Sequence, residues 1–118
     1  MAETSENVGV STRVLKDEDR LGCSHMAIGS EHVAMMFVAD GHAGKEAAEC
    51  CAEMARAYVV EECHGDPSSA SLQAACSKAF RRLHQDVVAV SGTAGTTLTL
   101  VVVNFTRGEL TVANVGDS

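Results

Sequence analysis

The stretch Val33-Ala34-Met35-Met36-Phe37-Val38-Ala39-Asp40-Gly41-His42-Ala43-Gly44 constrains the fold more than any other. An apolar run of strand length stops abruptly at an acid, a glycine and a histidine, and a long amphipathic helical pattern follows. A buried strand that ends in a carboxylate, then a flexible residue and a titratable ring, suits a metal or catalytic site, because such sites form where a rigid element meets a loop. An ordinary Asp-Gly turn leaving a core strand has the same local pattern, so the rest of the chain has to decide between them.

The surrounding pattern predicts an α+β fold. Residues 1–10 are polar and aperiodic and read as a flexible N-terminus, with the domain running from 11 to 118. Ser11 to Leu15 has the composition of a short strand, and Lys16-Asp17-Glu18-Asp19-Arg20 reads as a solvated turn. Cys23 to Ile28 and Val33 to Ala39, separated by Gly29-Ser30-Glu31, predict an antiparallel hairpin. Gly44 to about Cys63 carries Ala47, Cys51, Met54, Ala55, Tyr58 and Val59 on one face, as an amphipathic helix does. His64-Gly65-Asp66-Pro67 ends it. Ser68 to Ser71 offers N-caps for a second helix reaching about Val90, with Leu72, Ala75, Cys76, Ala79, Phe80, Leu83 and Val87 facing inward. The β-branched run Thr96 to Phe105, the turn Thr106-Arg107-Gly108-Glu109 and Leu110 to Val115 predict a second hairpin. Strands separated by a helical pair imply helices packed on an antiparallel sheet.

Composition narrows the function. The 118 residues suit one small domain or part of a larger one, with 46% hydrophobic residues but only 3% aromatic. The net charge of −7 disfavours nucleic acid and anionic membranes and is compatible with cations. The five cysteines form no Cys-x-x-Cys pair, no signal peptide is evident, and no apolar run reaches membrane-spanning length. Buried thiols in a reducing compartment, cytoplasm or nucleus, are the expectation.

Acids recur at the ends of the predicted strands: Glu18 and Asp19, Asp40, and Asp117. Carboxylates in such positions, with a backbone carbonyl at Gly41, are the hard oxygen donors that magnesium and manganese take. Histidine as a residue type titrates near neutrality, which suits His42 to general-acid work beside them. His25, His32, His64 and His84 show no ligand spacing and read as structural. Gly95-Thr96-Thr97 lacks the lysine and spacing of a P-loop.

Taken together, four stretches resemble the type 2C metal-dependent protein serine/threonine phosphatases: Arg13 with Glu18-Asp19; Phe37-Val38-Ala39-Asp40-Gly41-His42-Ala43-Gly44; Gly95-Thr96-Thr97; and Val112-Ala113-Asn114-Val115-Gly116-Asp117-Ser118. The resemblance implies an antiparallel β-sandwich flanked by helices, in α-β-β-α layers, incomplete in this chain. It also implies two Mg2+ or Mn2+ ions and phosphorylated protein substrates, hydrolysed at phosphoserine or phosphothreonine by a metal-activated water. Asp40 would bridge both ions, the Gly41 carbonyl would bind one, and Glu18 would serve directly or through water with Asp19 beside it. Arg13 would grip the substrate phosphate, His42 would protonate the leaving alkoxide, Asp117 would hold a third ion, and Thr97 would support the ligands from behind.

Two departures accompany the match. Arg13 stands one residue further from Glu18-Asp19 than the family pattern has it, with Arg20 the less favoured substitute. The Asp-Gly and Asp-Asn motifs of the family's second half do not occur here, so the chain resembles the first half of such a domain. A truncated, non-catalytic homologue that binds a phosphoprotein or other partner is the competing reading. Either way, the strand Leu110 to Val115 is expected to lack a neighbour and expose apolar surface, inviting self-association through an unfinished sheet.

Overall fold

The computed structural model describes residues 18–116. Four long strands form one antiparallel sheet: β1 (Arg20–Ile28), β2 (Glu31–Ala39), β5 (Leu98–Asn104) and β6 (Glu109–Val115), in the order β1-β2-β5-β6. Two helices, α1 (Glu46–Cys63) and α2 (Ser69–Val90), separate the two hairpins in sequence. The short strands β3 (Gly41–His42) and β4 (Gly95–Thr96) pair with each other as a separate two-stranded sheet. The fold is α+β with antiparallel pairing throughout. The described residues supply one helical layer and the sheet beneath it.

Both predicted hairpins form. Gly29, in the left-handed region at φ 62°, and Ser30 make a tight turn that sets Ile28 opposite Glu31 and, further along, Arg20 opposite Ala39. The second hairpin sets Asn104 opposite Glu109 and Leu98 opposite Val115. β1 starts inside the charge cluster read as a turn: Arg20 is its first residue and pairs with Ala39, so the cluster ends at Asp19 where the ladder begins. The expected strand Ser11 to Leu15 lies outside the described residues.

The long strand expected over Thr96 to Phe105 is broken at Thr97. Its backbone N–H leaves the β5 ladder and donates to the Asp40 carbonyl at 3.0 Å, so Gly95 and Thr96 are free to pair with His42 and Gly41 instead. The first helix begins at Glu46 rather than Gly44, because Ala43 and Gly44 have φ of 57° and 122°. That backbone is left-handed and outside the helical region, and at Gly44 it suits only glycine. The helix ends through His64 in the left-handed conformation, whose N–H donates to the Glu61 carbonyl. Ser68 caps α2, its side chain accepting from the Ser71 N–H at 3.3 Å.

The core lies between the helices and one face of the sheet. Val33, Met35, Phe37, Leu100 and Val102 meet Ala48, Cys51, Ala55, Val59, Leu72, Ala75, Cys76 and Leu83 there. Small residues dominate α1, which lets the helix approach the sheet closely. The helices are also joined by a polar clasp: Tyr58 donates to Asp86, while Arg82 stacks over the Tyr58 ring at 3.7 Å and pairs with Glu61 and Glu62. At the other end, buried Asn104 donates to the Pro67 carbonyl and to Glu31, and accepts from the Arg107 N–H.

Candidate metal and phosphate site

β2 delivers Asp40 to the sheet end where β1 begins and β5 begins. Asp40 is exposed, and its backbone is pinned on both sides by buried Thr97. The Thr97 N–H donates to the Asp40 carbonyl, and the Asp40 N–H donates to Thr97 Oγ1 at 3.4 Å. A main chain held on both sides in this way fixes where the exposed carboxylate stands.

Gly41 explains itself by what surrounds it. It is buried, and a Cβ there would lie 2.3 Å from the Glu18 carbonyl oxygen, so only glycine lets residues 18 and 41 run this close. The Glu18 side chain then crosses to the following loop, where Oε2 accepts from the Gly44 N–H at 2.7 Å. Glu18 therefore staples the left-handed Ala43–Gly44 turn to the start of β1, and the motif Asp40-Gly41-His42-Ala43-Gly44 closes around it. Asp19 lies next to Glu18, and its carbonyl accepts from Arg20.

Exposed His42 faces Gly95 across the β3–β4 pair. A Cβ at 95 would fall 2.4 Å from the imidazole Nε2, so the missing side chain of Gly95 is the space the ring occupies. Arg20 stays at this end, its guanidinium donating to the neighbouring Asp19 carbonyl at 2.8 Å and to Glu49 Oε1 at 3.3 Å, which Lys45 also approaches at 3.6 Å. Arg13 and Asp117 lie outside the described residues.

The structure thus brings Glu18, Asp19, Asp40, Gly41, His42 and Thr97 to one end of the sheet. Among the described residues no three His, Cys, Asp or Glu side chains converge as a metal-holding group. The donor set nevertheless fits a hard cation in kind, being oxygen only, with an exposed carboxylate that leaves room for water. A cleft of about 280 Å³ between α1, α2 and β4 is lined mainly by apolar side chains such as Phe80, Leu83 and Val87, and none of the carboxylates opens into it.

Three contributors escaped the sequence reading. Glu49 anchors Arg20, Gly44 supplies the N–H for Glu18, and Gly95 makes space for His42. The two glycines stand in the quoted motifs, so the signal was present; the tie from Glu49 to Arg20 spans 29 residues and leaves no local trace.

A helix-covered antiparallel sheet with acids gathered at one end defines the class as an α+β domain with a candidate hard-cation site. The family model described as Protein phosphatase 2C matches residues 10–118, and the chain belongs to that family. No curated protein sequence matches the chain.

Proposed function

We propose that this chain supplies the Asp40 side of a metal-dependent protein serine/threonine phosphatase site, with turnover belonging to the completed site. The observation that carries this reading is the mutual fixing of Asp40, Gly41 and Glu18 at one sheet end: Thr97 pins Asp40, and Glu18 pins the loop after it. Asp40, the Gly41 carbonyl, Glu18 and Asp19 would hold Mg2+ or Mn2+, with Asp117 for a further ion. Such ions, when bound, supply a water of lowered pKa and neutralise phosphoryl charge. Arg13 would orient the phosphate through a guanidinium fork, and His42 would donate its proton to the departing serine or threonine oxygen. Thr97 would keep the Asp40 backbone still while this happens.

Glu18 spends one carboxylate oxygen on Gly44, so the described donors make only part of a metal shell. The isolated chain is therefore expected to bind Mn2+ but to release little phosphate from a phosphothreonine peptide. Mn2+ binding, followed by the paramagnetic signal of the free ion, should weaken at least about tenfold in Asp40→Asn. Unchanged affinity in that variant would remove Asp40 from the metal site. Turnover by the wild-type chain that vanishes in Asp40→Asn would instead indicate completion by a second copy, for which the exposed apolar residues of edge strand β6 provide a surface.

A further inference from the structure

A second constellation sits at the opposite end of the sheet. His32 lies eight positions before Asp40 along the chain, about 26 Å of extended strand. There, on the face away from the helices, His25 of β1 and His32 of β2 meet, with His25 Nδ1 2.9 Å from His32 Nε2. Both residues are exposed. Phe105 backs them: its ring stacks on His25 at 5.9 Å between centroids and 9° between planes, and lies 4.9 Å from His32.

The main chain holds this arrangement as firmly as the side chains do. The hairpin register places His25 opposite Ala34 and His32 opposite Ala27, so the two imidazoles are diagonal neighbours on adjacent paired strands. The His32 N–H donates to Thr106 Oγ1 at 2.9 Å, and the Phe105 N–H donates to the His32 carbonyl at 2.9 Å. Arg107, two residues beyond Phe105, is neutralised by a two-pronged pairing with Glu31, at 2.6 and 3.0 Å.

We infer that His25 and His32 form a two-imidazole chelate for a borderline divalent transition ion of the Cu2+ or Ni2+ kind. Two metal–imidazole bonds of about 2.0–2.1 Å meeting at a right angle put their nitrogens about 2.9 Å apart. Right-angled nitrogen pairs belong to square-planar or tetragonal coordination, which Cu2+ and Ni2+ favour, with water completing the shell. In the metal-free neutral pair one facing nitrogen carries the shared hydrogen and the other accepts it. Moving that proton to the far nitrogen of the same ring, through solvent, frees both lone pairs, and a swing of the two exposed rings about their side-chain torsions then turns them onto one ion with no net proton gained or lost. The nitrogens already stand at this separation, so that swing is the ordering left for the ion to impose.

The test is a titration of the 118-residue chain with Ni2+, following affinity by calorimetry and the two imidazoles by NMR, alongside His25→Gln, His32→Gln and the double variant. Both positions are exposed, so all three variants are expected to fold, which circular dichroism checks. A chelate predicts that either single substitution weakens Ni2+ binding at least about tenfold and that the double variant is little worse than either. Mg2+ should leave both rings unperturbed. The inference is overturned if the wild-type chain binds no Ni2+, if either single variant keeps wild-type affinity, or if the ion perturbs the thiols rather than these rings. Phosphatase activity plays no part in the readout, so the result stands apart from the fate of the Asp40 site.

Discussion

The two faces of the four-stranded sheet share the same strands and differ only in which alternate residues they present. On the helical face Val33 and Leu100 are fully buried. On the other face Val38 is 50% exposed, Leu110 62% and Val112 56%, although that face is scarcely less apolar: it also carries Met36, Val101 and Val103. An antiparallel sheet with one solvated face normally alternates apolar with polar residues. β2 and β5 do not, and their uninterrupted apolar runs are the pattern of strands meant to be covered on both sides. The helices cover one. The other is a large apolar surface of the kind that soluble monomers rarely leave open.

The largest expected difference between the faces is in stability. Leu100→Ala leaves a cavity under the helices and should cost about 2–5 kcal/mol in urea unfolding. Leu110→Ala, at a side chain already in water, should stay within about 0.5 kcal/mol. Similar losses at the two positions would mean that the second face is buried in solution, by another copy or by the chain itself.

The next effect concerns association. β6 is the sheet edge, and Leu110, Val112 and Val115 are exposed along it. The wild-type chain should show concentration-dependent self-association by sedimentation velocity, and Val112→Lys should suppress it, since edge lysines block strand-to-strand and face-to-face contact. Association that survives Val112→Lys would direct attention away from this face.

Much of this architecture was legible in the sequence because it rests on local signals. Strand and helix periodicity, the Gly29-Ser30 turn and the Ser68 cap act over a few residues, and both hairpins and both helices follow from them. The misreadings are long-range. Nothing near Arg20 indicates that it would open a strand opposite Ala39, and nothing near Thr97 says that its N–H would turn to Asp40 and split the β-branched run. The acids at the site were legible as residues, but the hold of Glu18 on Gly44 was not, because it depends on how close residues 18 and 41 approach. The His25–His32 pair was readable in principle: a two-residue turn at Gly29-Ser30 fixes the register, and counting outward puts both rings on one face. Ligand spacing along the chain misses partners that a register brings together.

The smallest effect contrasts neighbouring thiols on the helical side. Cys50 is half-buried and Cys51 fully buried, and burial pushes the Cys51 thiol up to about 12 and that of Cys76 to about 11, against an ordinary value of 9.0. At neutral pH an alkylating reagent should therefore modify Cys50 well before Cys51, since reaction requires a reachable thiolate. The same burial sets a pH dependence. A thiol whose folded pKa is raised favours the native state while it stays protonated, so this contribution is complete below about pH 9 and is lost as pH rises toward about 12, when the unfolded chain ionises first. Tyr58, raised by its hydrogen bond to Asp86, acts in the same direction. The urea midpoint should fall between pH 9 and 11, and Cys51→Ala should flatten that fall while lowering the midpoint at pH 7 for lack of the sulfur. A slope unchanged by Cys51→Ala would mean that the helical side opens to hydroxide before it unfolds, and the contrast between the two faces would then be one of composition rather than of solvent access.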